Sequence, residues 1–124
     1  MNQRSIFRIT ALFALVCALS ATELRAANDP GALMSELSQQ VRLHGEKLAR
    51  CVDNTAARHA RNETTPPETA AAASVEDCEG VLRVFVASCS ENIRSLCENF
   101  AKEMRTRELN RAAELIERLR LEKK

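Results

Sequence analysis

Apolar residues recur at helical spacing from Pro30 to about residue 62. The stripe is made of Leu33, Leu37, Val41, Leu48 and Val52, with Met34 beside it. Spacings of three and four residues are typical of one buried face of an α-helix. Asn28 or Asp29 before Pro30 is a start signal, because a short polar side chain there accepts from free N–H groups of the first turn. The pattern therefore predicts a helix over about residues 31–61.

A proline-containing segment interrupts this pattern. Pro66 and Pro67 forbid a continuous helix, because proline lacks the backbone N–H and clashes with the preceding turn. We therefore predict a linker over residues 62–73, whose last alanines can already belong to the next helix. Asn62, Glu63 and Thr64 form a sequon, which is a glycosylation acceptor if the host is eukaryotic.

A second helical stretch follows the linker. The segment from Ser74 to Asp77 resembles a capping box and predicts a helix start. One wide apolar face then carries Cys78, Val81, Leu82, Phe85, Cys89, Ile93, Leu96, Phe100 and Met104. The β-branched run over residues 81–86 would also suit a strand, but no second strand is expected that could pair with it. We therefore predict that residues 74–105 are helical.

Two features subdivide this second half of the chain. Ser88 and Glu91 have the spacing of another capping box, so a break near residues 88–91 is an alternative to one straight helix. Near Thr106 the register slips, and a fresh stripe begins at coiled-coil spacing. That stripe consists of Leu109, Ala112, Ile116 and Leu119. It predicts a separate charged amphipathic helix over residues 107–121. The predicted fold class is all-α, a disulfide-stapled helical hairpin or a small three- to four-helix bundle.

The N-terminus has the features of a cleavable secretory signal. Arg4 and Arg8 precede an apolar run over residues 9–19, which is too short to span a bilayer. Small residues follow, and cleavage after Ala26 is favoured over cleavage after Ala21. We therefore predict a signal peptide over residues 1–26 and a small helical domain over residues 27–124. The predicted destination is a bacterial periplasm or the outside of the cell.

Removal of the signal changes the cysteine count. The chain of 124 residues contains five cysteines, and Cys17 would leave with the signal. Cys51, Cys78, Cys89 and Cys97 would remain. An even number of cysteines in a short exported chain indicates a disulfide framework, and a core of this size needs such cross-links.

The spacing of these cysteines limits how they can pair. On a straight helix the Cα atom of Cys89 would lie about 16 Å from that of Cys78 and about 12 Å from that of Cys97, whereas a disulfide needs less than about 7 Å. A turn near residues 88–91 would fold the two halves together and favours Cys51–Cys89 with Cys78–Cys97. The second choice, Cys51–Cys78 with Cys89–Cys97, needs a distortion after Cys89. Without a break, two thiols stay free or link to a second chain.

The sequence contains no grouping typical of a metal site or an enzyme. Six residues separate His44 from Cys51 and seven separate Cys51 from His59, whereas zinc motifs use closer pairs. Both histidines fall on the apolar stripe, which favours partly buried packing. No glycine-rich phosphate loop or nucleophile motif is present. We therefore predict no catalytic residues, no metal ligands and no cofactor.

Charge is segregated along the chain. Residues 63–100 carry seven acidic and two basic groups, whereas residues 101–124 carry eight basic and five acidic groups. The acidic cluster of Glu76, Asp77 and Glu79 suits the first turn of a helix. The basic helix is either a solvated face or a surface that docks on an acidic partner or a membrane. The candidate interaction surface consists of Arg105, Arg107, Arg111, Arg118 and Arg120.

These features favour a non-enzymatic protein-interaction module of the adaptor, chaperone or inhibitor type, with an unidentified protein partner. The alternative is a thiol-redox or metal-handling protein that uses Cys78, Cys89 and Cys97. A homodimer is a further option if thiols stay unpaired, and contact with a membrane surface is a weaker one. Nucleic-acid binding is not expected, because the exported chain would have a net charge near zero and very few aromatic residues.

Overall fold

The computed structural model describes residues 29–124, so the predicted signal peptide lies outside the described residues. The described part is all-α, as predicted, and contains no strand. Its elements are α1 (Pro30–His59), α2 (Pro67–Glu76), α3 (Glu79–Ser88), a short 3-10 helix (Glu91–Ile93) and α4 (Arg94–Glu122). The described residues divide between two units: residues 29–35 belong to the first, and Glu36–Lys124 form the second. The second unit is a small helical bundle with two disulfides.

The described part of the first unit is the beginning of α1. The backbone oxygen of Asp29 accepts from the N–H of Leu33 (3.0 Å), and Asp29 Oδ1 accepts from the N–H of Gly31 (3.1 Å). Pro30 is the first helical residue, where its missing N–H costs nothing and its fixed φ suits the helix. The predicted start signal at Asp29 is thus confirmed.

In the second unit, the apolar stripe of α1 enters the core. Leu37, Leu48 and Val52 are at most 3% exposed, and Ala56 continues the same face. His44 is also buried and lies between Leu37 and Leu48 on this stripe. The predicted stripe is therefore confirmed at Leu37, Leu48 and Val52, whereas Met34, which was placed beside it, is 58% exposed. α1 ends at His59, close to the expected boundary.

The connection between α1 and α2 is shorter than the predicted linker. α2 begins at Pro67, inside the segment expected to be irregular, and Ala70 and Ala71 are buried. A proline at the first helical position needs no hydrogen-bond partner, so Pro67 starts a helix as readily as it prevents one from continuing. Arg120 of α4 holds the connection by donating to three backbone oxygens, those of Ala60 (3.2 Å), Asn62 (2.7 Å) and Thr65 (2.7 Å).

The stretch predicted to be helical over residues 74–105, with a possible break near residues 88–91, is broken twice. The first break, at Asp77 and Cys78, was not expected. Ser74 does not begin a helix: it is buried inside α2, and its Oγ donates to the Ala70 oxygen (2.7 Å). The apparent capping box therefore lies at the end of α2, and α3 begins after Cys78.

The second break agrees with the predicted break near residues 88–91. Cys89 is extended (φ −77°, ψ 139°), and the 3-10 helix carries the chain into α4. The predicted cap is wrong in detail, because the Ser88 Oγ donates back to the Phe85 oxygen (2.7 Å) instead of capping the next helix. α3 and α4 therefore meet at a sharp reversal of the chain.

α4 is continuous from residue 94 to residue 122, so the predicted separate helix over residues 107–121 is wrong. Met104, Glu108, Ala112 and Ile116 are all buried at steps of four residues. The stripe therefore crosses Thr106 without interruption. Its continuity is hidden in the sequence because one of its core positions is occupied by Glu108, a polar residue.

The favoured disulfide pairing, Cys51–Cys89 with Cys78–Cys97, is wrong. The bonds are Cys51–Cys78, with Cα atoms 5.9 Å apart, and Cys89–Cys97, with Cα atoms 6.7 Å apart. The unexpected break at Cys78 places that residue against α1, where it meets Cys51. The extended Cys89 and the 3-10 helix supply the distortion that brings Cys97 within bonding distance of its near neighbour.

The core of the second unit is built around α4. Both α2 and α3 pack against it, and the largest fully buried side chains include Phe85, Leu48, Ile116, Val52 and Val75. No helix among residues 29–124 is long and apolar enough to cross a membrane.

Candidate functional site

His44 is a packing residue of the bundle. Its ring lies 5.6 Å from the Phe85 ring, centroid to centroid, and its Nε2–H donates to Gln40 Oε1 (3.0 Å). Nδ1 is buried and has no hydrogen-bond partner in the described part of the chain. Burial lowers the pKa of His44 from its ordinary value, and the charge of Lys47 lowers it further. The side chain therefore fits the core as a neutral ring and not as a proton shuttle.

His59 is half-buried, as expected for a packing histidine, and joins the end of α1 to the first break. Its Nε2 is 2.9 Å from Asp77 Oδ2, and Arg58 Nη2 is 3.9 Å from the same oxygen. Asp77 is thus a partner for α1 and not the first-turn residue that the sequence predicted. His44 and His59 therefore contact different partners, Gln40 and Asp77. No cluster of three metal-ligating side chains occurs within residues 29–124.

The Cys51–Cys78 bond has a buried hydroxyl beside it. Thr55 Oγ1 donates to the Ser74 oxygen (2.9 Å) and lies 3.6 Å from Cys78 Sγ. Cys78 is 1% exposed, whereas Cys51 is half-buried. The contact satisfies the Ser74 carbonyl inside the α1–α2 junction, which is a structural role.

Arg111 forms a polar cluster that connects α4 to α1. Its Nε and Nη2 atoms donate to Oε2 of the buried Glu108 (2.8 and 2.6 Å), and its Nη1 donates to Asp53 Oδ1 of α1 (2.6 Å). Nη2 also reaches the Ala49 oxygen (3.1 Å). The hydrogen bond with Glu108, first of all, raises the pKa of Arg111. This side chain links α4 to α1 and is not free to bind a partner.

The five arginines of the candidate interaction surface do not share one environment. Arg111 and Arg120 are held by contacts within the bundle. Arg107 lies 4.0 Å from Glu108 Oε1 and is otherwise exposed, and Arg118 is exposed near the end of α4. Arg105 pairs with Glu79 at the start of α3, with 3.5 Å between its Nη1 and Glu79 Oε1. Arg107 lines a smaller cavity of about 490 Å³ along α4, and Arg105 borders a larger cavity beside α3.

That cavity is an open groove of about 590 Å³ between α3 and α4, which we call the α3–α4 groove. Its lining consists of Glu79, Leu82, Arg83, Val86, Ala87, Arg94, Ala101, Lys102 and Arg105. The α3 members are spaced i, i+3, i+4, i+7 and i+8, which places them on one helical face. A groove of this size is within the range of ordinary ligand sites.

The two walls of the groove run antiparallel. Glu79 at the start of α3 faces Arg105, which lies well along α4. At the other end, Arg94 at the start of α4 donates from Nη2 to the Cys89 oxygen just after α3 (3.3 Å). The Cys89–Cys97 bond closes the same end covalently. The groove is therefore held at both ends by contacts between its walls.

The groove combines an apolar floor with a basic rim. Leu82, Val86 and the two alanines supply the floor. Four cations surround it and only one carboxylate, Glu79, opposes them. The charged side-chain groups of Arg83 and Lys102 have no ion pair or hydrogen bond within the described residues 29–124, although the Lys102 backbone oxygen accepts from Thr106 Oγ1 (3.1 Å). Glu79 Oε2 is buried and also lacks a donor among those residues. The local charge is positive in a chain whose overall charge is close to neutral.

Of the residues that line this groove, sequence reasoning assigned only Arg105 to an interaction surface, although it also placed Leu82 on an apolar helix face and Glu79 in an acidic cluster. Arg83, Arg94 and Lys102 were missed because isolated cations on a helix usually belong to a solvated face. The available signal was the α3 pattern itself, in which Glu79 and Arg83 alternate with Leu82 and Val86 along one face. That pattern indicates a groove only when α4 is known to pack beside α3.

The lining of the groove holds no cysteine, histidine, serine or threonine. It offers four cationic donors, one carboxylate and an apolar floor. No protein-family model matches this chain, and neither the curated proteins nor the solved structures gave a match.

Proposed function

We propose that the protein is a non-enzymatic protein-interaction module, of the adaptor, chaperone or inhibitor type, that binds a partner protein in the α3–α4 groove. The observation that carries the proposal is the groove itself, with its apolar floor and the two cations, Arg83 and Lys102, that lack partners in the described residues. Interfaces place such side chains around a desolvated apolar centre, where binding energy concentrates.

Export is part of this proposal. The basic and apolar run over residues 1–26 has the order of a secretory signal. The two disulfides support the same conclusion, because such bonds persist in oxidising compartments. The Cys89–Cys97 bond also fixes the walls of the groove at one end, and a rigid site loses less conformational freedom on binding than a mobile one.

Thiol-redox or metal handling is the weaker candidate. Cys78, Cys89 and Cys97 are each at most 2% exposed and all three are engaged in disulfides. A reactive cysteine needs an accessible thiolate, which this arrangement does not offer.

A peptide selection with a blocking variant tests the proposed function. Peptides displayed on phage are selected against the purified, oxidised protein, and the enriched sequences are then measured by fluorescence anisotropy. Ala87→Trp places a large ring in the groove, whereas the matched control Ala57→Trp changes an exposed alanine of α1 outside it. We expect Ala87→Trp to weaken binding by about tenfold or more and Ala57→Trp to leave it unchanged.

The proposal is wrong if no peptide is enriched above background, or if the enriched peptides bind Ala87→Trp as well as the original protein. Thermal unfolding of both tryptophan variants confirms that each remains folded.

A further inference from the structure

We infer that the occupant of the α3–α4 groove is an acidic amphipathic α-helix of two to three turns, carried by the partner protein. This inference rests on the proposed function and adds the chemical class of the ligand. It stands on three independent features: the length of the walls, the absence of a sheet edge in the described chain, and the unequal balance of charge around the floor.

The length of the groove suits a short helix. The lining residues extend from Glu79 to Ala87 on α3 and from Arg94 to Arg105 on α4. At 1.5 Å per residue these walls are about 12 Å and about 16 Å long, which corresponds to about 8–11 residues of helix laid along them. A third helix placed between two antiparallel helices packs by the usual ridge-and-groove geometry.

An extended peptide suits the groove less well. Extended ligands are commonly held by adding a strand to an exposed sheet edge, and residues 29–124 contain no strand. The backbone N–H and C=O groups of an extended segment would then meet the apolar floor without partners, which costs free energy. A helix satisfies its own backbone and can turn a pure apolar stripe toward Leu82 and Val86.

Charge determines which amphipathic helix is bound. Arg83 belongs to α3 and Lys102 to α4, so unpartnered cations stand on both walls. A ligand helix with acidic residues on both sides of its apolar stripe would meet both of them. Glu79 offsets one cation, Arg105, and leaves the groove with a net positive charge. A basic helix of the same apolar pattern would be repelled.

The test uses three synthetic peptides of about 12 residues. Each has leucines at i, i+3, i+4 and i+7, and the positions flanking this stripe are glutamate, glutamine or lysine. Affinity is measured by isothermal titration calorimetry against the oxidised protein. We expect the glutamate peptide to bind about tenfold or more tightly than the glutamine peptide, and the lysine peptide not to bind. Raising the salt concentration should weaken the binding of the glutamate peptide and leave that of the glutamine peptide unchanged.

A charge-reversed variant isolates the groove from the rest of the basic surface. Arg83→Glu with Lys102→Glu should reverse the preference from the glutamate to the lysine peptide. The matched control, Arg118→Glu with Lys123→Glu, reverses two exposed cations near the end of α4 and should leave the preference unchanged. A glutamate peptide with a central proline, which cannot stay helical, should lose binding.

The outcomes separate this inference from the proposed function. If selected peptides bind the groove but are neutral, basic or proline-tolerant, the acidic helix is wrong and the interaction module stands. If every peptide from both experiments binds the Ala87→Trp variant as tightly as it binds the original protein, both proposals fail. Sedimentation of the protein alone adds a further outcome: a dimer that Ala87→Trp makes monomeric would identify a second copy as the occupant and overturn the inference.

Discussion

At the scale of single residues, the most informative contact is that between the buried carboxylate of Glu108 and the guanidinium of Arg111. Glu108 is 3% exposed, and a charge removed from water to that degree is tolerated only with close partners. Arg111 supplies two hydrogen bonds to it and keeps further contacts with Asp53 and the Ala49 oxygen. The dependence is therefore unequal. Glu108 relies on Arg111, whereas Arg111 is 38% exposed and retains other partners without Glu108.

This inequality leads to a prediction about stability. Arg111→Ala should lower the free energy of unfolding by about 3 kcal/mol at neutral pH, because the buried Glu108 carboxylate then keeps, among the described residues, only the exposed Arg107 as a cation, 4.0 Å away. Glu108→Leu should stay within about 1 kcal/mol of the original protein, because it replaces the buried charge by an apolar side chain of similar size. Urea denaturation followed by circular dichroism measures both.

The comparison of the two variants provides the check. Equal losses of unfolding free energy in Arg111→Ala and Glu108→Leu would contradict this account.

At the scale of elements, the sequence predicted the helices better than their boundaries. α1 was found because its stripe is regular and Asp29 marks its start. The break at Asp77 and Cys78 was missed because nearby Ser74 and Asp77 imitate a helix start and neither glycine nor proline marks the turn. What holds that turn is tertiary: the bond to Cys51 and the contact of Asp77 with His59. The groove was missed for a related reason, because its two walls are distant in sequence.

Gly45 allows a prediction on the stability of α1. It lies in the middle of a helix, where glycine is less favourable than alanine by about 1 kcal/mol. A methyl group added there would meet Met104 Cε at 3.8 Å and Arg107 Nη2 at 4.0 Å, which are ordinary contacts. Gly45→Ala should therefore raise the free energy of unfolding by about 0.5–1 kcal/mol, or Tm by about 3–6 °C.

The reverse change in the same helix is the control. Ala57→Gly alters an exposed alanine of α1 and should lower Tm, although by less, because residue 57 is near the helix end. A lower Tm for Gly45→Ala would show that Met104 has no room for the added methyl group and would refute the packing described.

On the scale of the whole molecule, the two disulfides stabilise different parts of the second unit. Cys51–Cys78 joins α1 to the α2–α3 break across 27 residues, whereas Cys89–Cys97 fixes the α3–α4 reversal across 8 residues. The chain-entropy model assigns them about 3.5 and about 2.5 kcal/mol. The sequence left this division open, because the pairing depends on where the second helical stretch breaks.

Their exposure predicts the order in which they are reduced. Cys51 is half-buried, but Cys89 and Cys97 are at most 2% exposed, so a reductant reaches Cys51 Sγ first. Under limiting phosphine reductant, thiol trapping and mass spectrometry should find labelled Cys51 and Cys78 before the other pair.

The intermediate with only Cys89–Cys97 should keep the groove and still bind the selected peptides, because that bond closes the end of the α3–α4 groove. Earlier labelling of Cys89 and Cys97, or loss of binding with Cys51–Cys78 alone reduced, would contradict this division of roles.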